Sequence, residues 1–316
     1  MIKRKLGGAG SLVSAVGLGT MTWGEDTPID EARDQVTDLL NAGGSVIDTS
    51  PAFYGGRALG VLAEILSEQV SRQELHIISR AGLGEGPDSS RGGIERAVHH
   101  TLTVLGTDWI DTLVLAEPDL TTPLEVTADA LASLAKRGEV HAIGLGNCPG
   151  WYAGTMTALL AERGVRPAAI HAEYHLLQRG IEREIIPCAA AHDLGIIAWS
   201  ALGRGVLAGR YRHSIPADSR AASPHFAGWV QPYLDDRSRQ VVEAIATAAE
   251  GLGCSIATVA LAWVLSRPRV SCALVGPRTS AQFSAILDEL DTEVPEAITA
   301  ALSDVTEINL GYPEVF

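Results

Sequence analysis

Eight short apolar runs recur along the chain, and each is followed by a stretch with the spacing of a helix. The runs are rich in Val and Ile and lie at residues 16–20, 45–50, 75–80, 110–117, 141–147, 168–174, 195–201 and 270–276. Strands that alternate with helices through right-handed crossovers form parallel sheets buried on both faces. Eight such units in 316 residues predict an α/β fold of the (β/α)₈ TIM barrel type.

The stretches between the runs are predicted to be helices. They lie at residues 30–42, 92–105, 124–137, 151–163, 183–192, 239–252 and 256–266. A doubly wound sheet is the alternative architecture, and it requires a GxGxxG turn after an early strand. The segment "LGGAGSL" at residues 6–12 does not have that context, so we retain the barrel.

Residues 204–238 interrupt the alternation. This stretch combines Pro, Ser, Gly and aromatic residues, and structureless insertions of such length usually have a functional role. We therefore predict a long loop over the mouth of the barrel. Because the chain contains no low-complexity linker and its length is ordinary for a barrel, we expect one domain over residues 1–316.

Charge and composition argue against several classes of partner. The formal net charge of -14 comes with no basic stripe, so neither nucleic acid nor an anionic membrane is expected to bind. The N-terminal "MIKRKLGGAG" has no apolar segment of the signal-peptide type, and we find no apolar run of membrane-spanning length. Cys148, Cys188, Cys254 and Cys272 have neither CxxC nor scaffold spacing. We expect a cytoplasmic protein with structural thiols and no metal.

Polar residues gather at the ends of the predicted strands, which is where barrels of this type carry their chemistry. The set consists of Asp48, Arg80, Glu117, Asn147, His171, Glu173, Trp199 and Ser200. Such charges are costly to desolvate unless they share ion pairs and hydrogen bonds. A solvated rim of ion pairs is the alternative for any one of them, whereas the set as a whole predicts an active site.

Several segments resemble the aldo-keto reductase superfamily, and the resemblance runs nearly from end to end. They are "SAVGLGTMTWG", "IDTSPAFYGGRALG", "EYHLLQRGIEREIIP", "AWSALGRGVLAGRY" and "ALAWVLSRPRVSCALVGPRTSAQF". The resemblance implies a (β/α)₈ barrel that binds NADP(H). It also implies reduction of carbonyl compounds by direct hydride transfer, with a tyrosine donating the proton.

The catalytic tetrad of that family consists of Asp, Tyr, Lys and His. By resemblance, Asp48 takes the aspartate position, Arg80 replaces the lysine and Glu117 replaces the histidine. The usual tyrosine lies five residues after the aspartate, where this chain has Phe53, and Tyr54 follows it. Either an extra residue in the turn brings Tyr54 to the site as proton donor, or Phe53 fills the position.

These substitutions change the expected chemistry. A phenol of ordinary pKa about 10 has to be tuned by a nearby cation before it donates a proton readily. Arg80 supplies a cation, but its guanidinium prefers bidentate contact with a carboxylate, and both Asp48 and Glu117 are available. Glutamate at the histidine position also occurs in the steroid 5β-reductases, and this resemblance implies Glu117 as the partner of the substrate carbonyl. The sequence therefore admits a conjugated enone as substrate beside ketones and aldehydes.

The resemblance also implies where the cofactor would bind. The implied positions are Gly19, Thr20, Met21, Asn147, His171, Trp199, Ser200, Leu202, Gly203, Gly205, Gly276, Arg278, Thr279 and Gln282. Trp199 would stack on the nicotinamide ring. Arg278 and Thr279 precede a helix whose N-terminus would bind the 2'-phosphate, which favours NADPH over NADH. Ala285 and Ile286 stand where the family has the Glu-Asn pair that holds the adenine.

Aromatic residues near the mouth suggest what kind of substrate fits. Trp23, Phe53, Trp151 and Trp229 would wall the pocket and favour an apolar or cyclic carbonyl compound. The two tetrad substitutions and the lost adenine contacts support a second hypothesis. In it, the chain is an aldo-keto reductase-like protein that binds a cofactor, or none, and acts as a sensor, a partner subunit or a non-redox enzyme. The oligomeric state stays open.

Overall fold

The computed structural model describes residues 1–83, 86–308 and 311. Eight of the strands close into a parallel barrel, and each pairs with the next in chain order until the last pairs with the first. The barrel strands are β3 (Val16–Gly19), β4 (Val46–Asp48), β5 (His76–Ala81), β6 (Ile110–Leu115), β7 (Val140–Gly146), β8 (Ala169–Glu173), β9 (Gly195–Trp199) and β10 (Val270–Val275). The predicted (β/α)₈ barrel is confirmed.

Apolar side chains cover both faces of these strands, which explains why the sequence shows continuous apolar runs. The inner cluster consists of Val46, Ile78, Val114, Ala142, Ala169, Ile197, Cys272 and Leu274. Residues of the opposite parity, such as Ile47, Ile77, Leu113 and Leu145, belong to the larger core under the helices. Because successive side chains of a strand alternate in direction, this parity also decides which strand-end residues face inward.

A short antiparallel hairpin, which the sequence analysis did not predict, closes the amino end of the barrel. It is formed by β1 (Lys3–Lys5) and β2 (Leu12–Ser14). Leu6 and Val13 join the inner cluster from this hairpin and are buried there. Its strands of three residues carry charged and exposed side chains, so they give no apolar periodicity.

The helices surround the barrel. They are α1 (Ile29–Asn41), α2 (Arg57–Glu68), α3 (Arg91–Leu105), α4 (Leu124–Arg137), α5 (Gly150–Glu162), α6 (Ile185–Ala191), α7 (Ala227–Val230), α8 (Asp236–Leu252), α9 (Ile256–Ser266), α10 (Ser280–Asp288) and α11 (Glu296–Val305). Among the described residues, no single helix has the length and apolar content needed to span a bilayer; α8 and α9 pass that test only together, across a bend of 102°.

Residues 200–235, which we call the mouth loop, connect β9 to α8 over the carboxyl end of the barrel. The loop contains 3₁₀ turns at Gly203–Ala208, Arg220–Ala222 and Gln231–Tyr233 beside the short α7. The predicted long loop therefore exists, although its last three predicted residues already belong to α8.

Candidate active site

A cavity of about 590 Å³ opens between the strand ends and the mouth loop. Its volume lies in the range of small-molecule and cofactor sites. Most of the sequence-predicted site residues lie in its wall: Asp48, Arg80, Phe53, Trp229, Gly19, Met21, Asn147, Trp199, Ser200, Leu202, Gly205, Gly276, Arg278 and Gln282. These residues therefore share one cavity.

An ion pair between Asp48 and Arg80 forms the floor of the cavity. The Arg80 guanidinium donates from Nε to Asp48 Oδ1 at 3.3 Å and from Nη2 to Asp48 Oδ2. The Asp48 side chain is 3% exposed and that of Arg80 is 15% exposed. Burial alone would raise the pKa of Asp48, but Arg80 and His171 hold that pKa below its usual value. The sequence left open which carboxylate binds Arg80, and in the structure it is Asp48.

His171 lies beneath this pair and does not reach the cavity wall. Its Nε2 is 3.4 Å from Arg80 Nη2 and 3.5 Å from Asp48 Oδ1. Burial, with the positive charge of Arg80, lowers the pKa of His171, so the ring is neutral at neutral pH and Nε2 can accept from the guanidinium. We predicted a direct cofactor contact for His171; the structure instead gives it a supporting position under the floor.

Phe53, and not the Tyr54 hydroxyl, lines the cavity. The guanidinium carbon of Arg80 lies 5.0 Å from the centroid of the Phe53 ring. Tyr54 has a left-handed backbone with φ of 49°, and its hydroxyl donates to Asp26 Oδ2 at 3.2 Å. Burial and the Asp26 carboxylate raise the pKa of Tyr54 to about 12. Of the two alternatives left by the sequence, the geometry supports Phe53 in the wall and gives no support to Tyr54 as proton donor.

Glu117 also lies outside the cavity wall. Along β6, Val114 faces the inner cluster and Leu115 the outer core, so alternation directs Ala116 inward and Glu117 away. In the part of the chain that the structure describes, no hydrogen bond or ion pair of the Glu117 carboxylate is found. The predicted role of Glu117 as carbonyl partner therefore has no geometric support, and the inward position belongs to Ala116. Counting from the motif placed the residue one position out of register.

Trp199 presents its indole at the end of β9 and is held there by Asn147. The indole Nε1 donates to Asn147 Oδ1 at 3.0 Å, and Asn147 Nδ2 donates to the carbonyl oxygen of Ala116 at 3.1 Å. Trp199 rests on the inner cluster beneath it. Asn147 was predicted as a cofactor contact; these two bonds fix its side-chain amide and leave one N–H of Nδ2 and one lone pair of Oδ1 available. Its position in the wall makes it the residue that orients Trp199.

Backbone strain concentrates around the same cavity. In the described residues, the non-glycine positions with left-handed φ are Tyr54, Asn147, Asp193, Ser200, Arg204 and Arg269. Three of them, Asn147, Ser200 and Arg204, line the cavity. Each such residue costs on the order of 1–3 kcal/mol and persists only where its surroundings hold it, which occurs most often at functional sites.

Four arginines line the side of the cavity near β9 and β10: Arg204, Arg210, Arg220 and Arg278. Arg278 was predicted from the sequence, and the other three were not. Their signal was present, because "GRGVLAGRYRHS" and the following "SR" place several arginines in one loop of an acidic chain. Arg204, Arg210 and Arg278 form ion pairs with Glu173, Asp218 and Asp26. Among the described residues Arg220 has no such pair, and an uncompensated cation in the wall indicates an anionic ligand.

Arg220 gives the most specific indication of that ligand. Its Nη2 donates to the carbonyl oxygen of Gly276 at 2.5 Å. Its Nε is enclosed and has no acceptor among the described residues. Burial lowers the pKa of Arg220. An enclosed donor without a partner costs about 1–3 kcal/mol, so an anionic oxygen in the cavity would relieve that cost.

The predicted phosphate site at the start of α10 is only partly exposed to the cavity. Arg278 and Gln282 lie in the wall, and Arg278 Nη2 donates to Asp26 Oδ1 at 3.1 Å. Thr279 is not in the wall; it caps α10 by accepting from the amide of Gln282. The Glu31 carboxylate accepts from the amide of Ser280 at 2.5 Å. Carboxylates therefore occupy the donors that a phosphate would use.

Two further cofactor predictions lie behind the wall. Thr20 is buried, and its hydroxyl donates to Thr49 Oγ1 at 3.0 Å. Gly203 is buried in the 3₁₀ turn that begins the mouth loop, where its φ of 56° suits glycine. Both shape the backbone next to the cavity and neither contacts its interior.

Two of the predicted substrate-pocket aromatics are corrected by the structure. Trp23 is completely buried, and its Nε1 donates to Gln35 Oε1 at 3.0 Å, so it belongs to the core. Trp151 begins α5 and is 55% exposed outside the cavity wall. Phe53 and Trp229 do line the cavity. An aromatic near a strand end cannot be assigned to core or pocket from its sequence position alone.

An ion pair connects the mouth loop to the barrel. Arg204 donates to both Glu173 oxygens, from Nε at 3.0 Å and from Nη2 at 2.8 Å. Its guanidinium carbon lies 4.3 Å from the Trp229 ring centroid and 4.8 Å from that of Tyr233. His175 Nε2 lies 3.3 Å from Glu173 Oε1. Glu173, at the end of β8, thus fixes the part of the loop that carries Trp229.

Comparisons with known proteins agree with this architecture. The sequence model described as the aldo/keto reductase family matches residues 15–307. A "Probable voltage-gated potassium channel subunit beta" of Oryza sativa subsp. japonica is 29% identical over 91% of this chain and 90% of its own length. A protein of the same description from Arabidopsis thaliana is 27% identical over 98% and 97%. The "Uncharacterized oxidoreductase YrpG" of Bacillus subtilis (strain 168) is 28% identical over 95% and 94%.

Proposed function

Because the chain belongs to the aldo/keto reductase family, we propose that it is an NADP(H)-dependent oxidoreductase that reduces a ketone, an aldehyde or a conjugated enone. Family membership supports an oxidoreductase role in general terms. The observation that carries the choice of cofactor is the enclosed, unpartnered Nε of Arg220 in a wall that also holds Arg210 and Arg278. Bound NADPH supplies a hydride to the substrate carbon.

The wall suits the two ends of such a cofactor. Trp199 offers a flat apolar face, and the indole is already oriented by Asn147. Arg220 and Arg210 would bind the pyrophosphate, and Arg278 would exchange Asp26 for the 2'-phosphate. Ala285 and Ile286 line the cavity, and their side chains offer no polar contact to an adenine. We therefore expect phosphate contacts to supply most of the affinity.

The topology supports a substrate position between Trp199 and Arg80. In the closed barrel, β5 lies four strands away from β9, which is the opposite side of the ring. Arg80 and Trp199 stand at the inward ends of these two strands and both line the cavity. A carbonyl between them would have Arg80 on its oxygen side and the nicotinamide on its carbon side.

Arg80 can stabilise negative charge on that oxygen but cannot donate the proton that completes a reduction. Guanidinium groups do not serve as proton donors in catalysis, and Asp48 holds two of the hydrogen-bond donors of Arg80. Tyr54 is engaged with Asp26, and Phe53 has no hydroxyl. We propose that the proton comes from water that enters the open cavity, and that turnover is slow because no tuned acid contributes its usual factor of roughly 10²–10⁴.

One observation favours a second candidate function. Phe53 lies over the Arg80 guanidinium, and two donors of Arg80 contact Asp48. The floor therefore does not contain the phenol that carbonyl reduction would use. The chain could therefore be a cofactor-binding partner subunit or sensor. Two of the similar plant proteins are described as potassium channel β subunits, which is compatible with that class. Four unpaired cysteines in the described residues fit a role in the cytoplasm in either case.

A single-turnover experiment separates the two candidates. Protein loaded with one equivalent of NADPH is mixed with a panel of aldehydes, ketones and enones, and absorbance at 340 nm is followed against protein-free NADPH. Oxidation of the bound cofactor by any member of the panel, abolished in Arg80→Met but retained in the surface variant Arg96→Met, is the expected result. If bound NADPH is stable against the whole panel, the partner-subunit candidate replaces the first.

A further inference from the structure

We propose that Arg80 selects substrates that carry a carboxylate, which it binds through Nη1 on the floor of the cavity. The inference rests on the proposed function, since it assigns a substrate class to the same site. It concerns the edge of the guanidinium that the Asp48 ion pair leaves free.

The guanidinium has one occupied edge and one free edge. Nε and Nη2 lie on the edge that contacts Asp48, and Nη2 is also 3.4 Å from His171 Nε2. Nη1 has no hydrogen-bond partner within residues 1–83, 86–308 and 311, and it is not among their enclosed, unpartnered atoms. Because Arg80 lines the cavity, the two N–H groups of Nη1 are accessible from it.

The free edge is held in place. Asp48 is buried and fixes the plane of the guanidinium by bidentate contact, and the Phe53 ring covers one of its faces. In a planar fork, donors that point toward Asp48 force the remaining donors to point away from it. Little side-chain freedom is left to lose on binding, so this donor is organised before a ligand arrives.

Arg80 is the polar anchor in a part of the cavity whose wall is otherwise mainly apolar. Met21, Phe53 and Trp229 contribute apolar surface to the wall. Glu173, the next carboxylate at a strand end, is neutralised by Arg204. The basic residues near β10 lie on the other side of the barrel, where the cofactor phosphates are proposed. A ligand with an apolar body and one carboxylate fits this arrangement of apolar wall and single cation. An arylalkyl 2-oxo acid is an example.

Phenylacetate and phenylacetamide test the proposal, because they have nearly the same shape and differ in charge. Each is titrated calorimetrically into protein saturated with NADP⁺, which blocks the phosphate-binding arginines. We expect phenylacetate to bind at least tenfold more tightly. The preference should stay constant from pH 6 to pH 9, since a carboxylic acid such as phenylacetate is ionised throughout that range. Equal affinity of the two probes overturns the proposal.

The double variant Asp48→Asn/Arg80→Gln identifies the anchor without leaving a buried charge unpaired. It should reduce the preference to less than twofold, whereas Arg96→Met, a change in an exposed surface arginine, should leave it intact. A preference that survives the double variant overturns the proposal, because the carboxylate then binds elsewhere. The NADP⁺ titration that precedes each experiment is a separate readout. Normal NADP⁺ binding without carboxylate preference removes this inference alone, and failure to bind NADP⁺ removes the proposed function.

Discussion

Arg80 shows how one side chain limits the chemistry of the cavity. A lysine ammonium is a compact charge that can contact a phenol, whereas the guanidinium of Arg80 spends two donors on Asp48 and rests on an aromatic ring. The floor is therefore a structured ion pair with one free edge. The chemistry of the site depends on the free edge of the Arg80 guanidinium and on the neighbouring residue, Phe53.

A phenol at position 53 should restore what the floor lacks. In Phe53→Tyr, the new hydroxyl would extend into the cavity next to Arg80, whose charge favours a lower phenol pKa. We expect the rate of carbonyl reduction to rise about tenfold or more, within the range of general acid catalysis. Steady-state consumption of NADPH with 4-nitrobenzaldehyde measures it.

Tyr54→Phe is the matched control for that variant. It removes a hydroxyl that is bonded to Asp26 outside the cavity, so turnover should stay within about twofold of the wild type. Loss of turnover in Tyr54→Phe, with no gain in Phe53→Tyr, would mean that Tyr54 moves to the reacting centre in the working enzyme.

The neutral state of His171 predicts a pH dependence of stability. Its folded-state pKa is lowered, so below about pH 6.5 the unfolded chain takes up a proton that the folded chain does not. The contribution is present above the unfolded pKa and is lost as the pH falls through the folded pKa. His171→Gln should therefore flatten the fall in the free energy of unfolding by up to about 1.4 kcal/mol per pH unit between pH 6.5 and that lower pKa.

Urea denaturation at several pH values measures this slope. His76 and His175 are also buried with lowered pKa values, so the variant should retain part of the fall. An unchanged slope in His171→Gln would show that His171 is already charged in the folded protein.

At the residue scale, the sequence predicted the positions that strand parity determines and missed those that a turn determines. Asp48, Arg80 and Trp199 follow from counting along apolar runs. Tyr54 and Glu117 lie beyond the strand ends, where the left-handed turn at residue 54 and the register after Leu115 decide the outcome. Neither is visible in residue spacing.

At the scale of elements, the mouth loop and β8 act as a unit. The Arg204 and Glu173 side chains are 11% and 13% exposed, and their ion pair holds Trp229 against the cavity. The sequence identified the loop from its composition. It could not identify this contact, which joins residues 31 positions apart.

Arg204→Met tests the role of this ion pair. Because it leaves the Glu173 charge without its main partner, we expect the free energy of unfolding to fall by roughly 3 kcal/mol. We also expect the NADP⁺ affinity to fall about tenfold, since the loop carries Arg210 and Arg220. Thermal unfolding and calorimetry measure the two effects.

Arg212→Met is the control in the same loop. Its ion pair with Glu243 is exposed, and exposed ion pairs contribute little to stability. If Arg204→Met behaves like Arg212→Met in both measurements, the Glu173 contact does not organise the loop.

The elements that were not predicted from the sequence are of two kinds. The β1–β2 hairpin has strands of three residues, too short to show an apolar period, whereas α2 and α11 are amphipathic helices outside the predicted ranges. The barrel itself was predictable because its strands are buried on both faces and repeat eight times.

At the scale of the whole molecule, charge is distributed unevenly. A chain of net charge -14 places Arg204, Arg210, Arg220 and Arg278 around one side of a single cavity. The field of the rest of the protein opposes an anionic ligand, so the arginines have to act at short range. Their convergence depends on the mouth loop folding back over β10, and no local pattern in the sequence encodes that path.

A titration of the protein with NADPH and NADH, followed by tryptophan fluorescence, is the most direct test of the proposed cofactor site. We expect NADPH to quench the emission, with Trp199→Phe losing most of the quenching while keeping the affinity measured by calorimetry. NADH should bind at least tenfold more weakly, and Arg278→Met should remove that difference. Absence of binding at millimolar NADPH would contradict the proposed cofactor site, because the cavity would then have to bind a different anion.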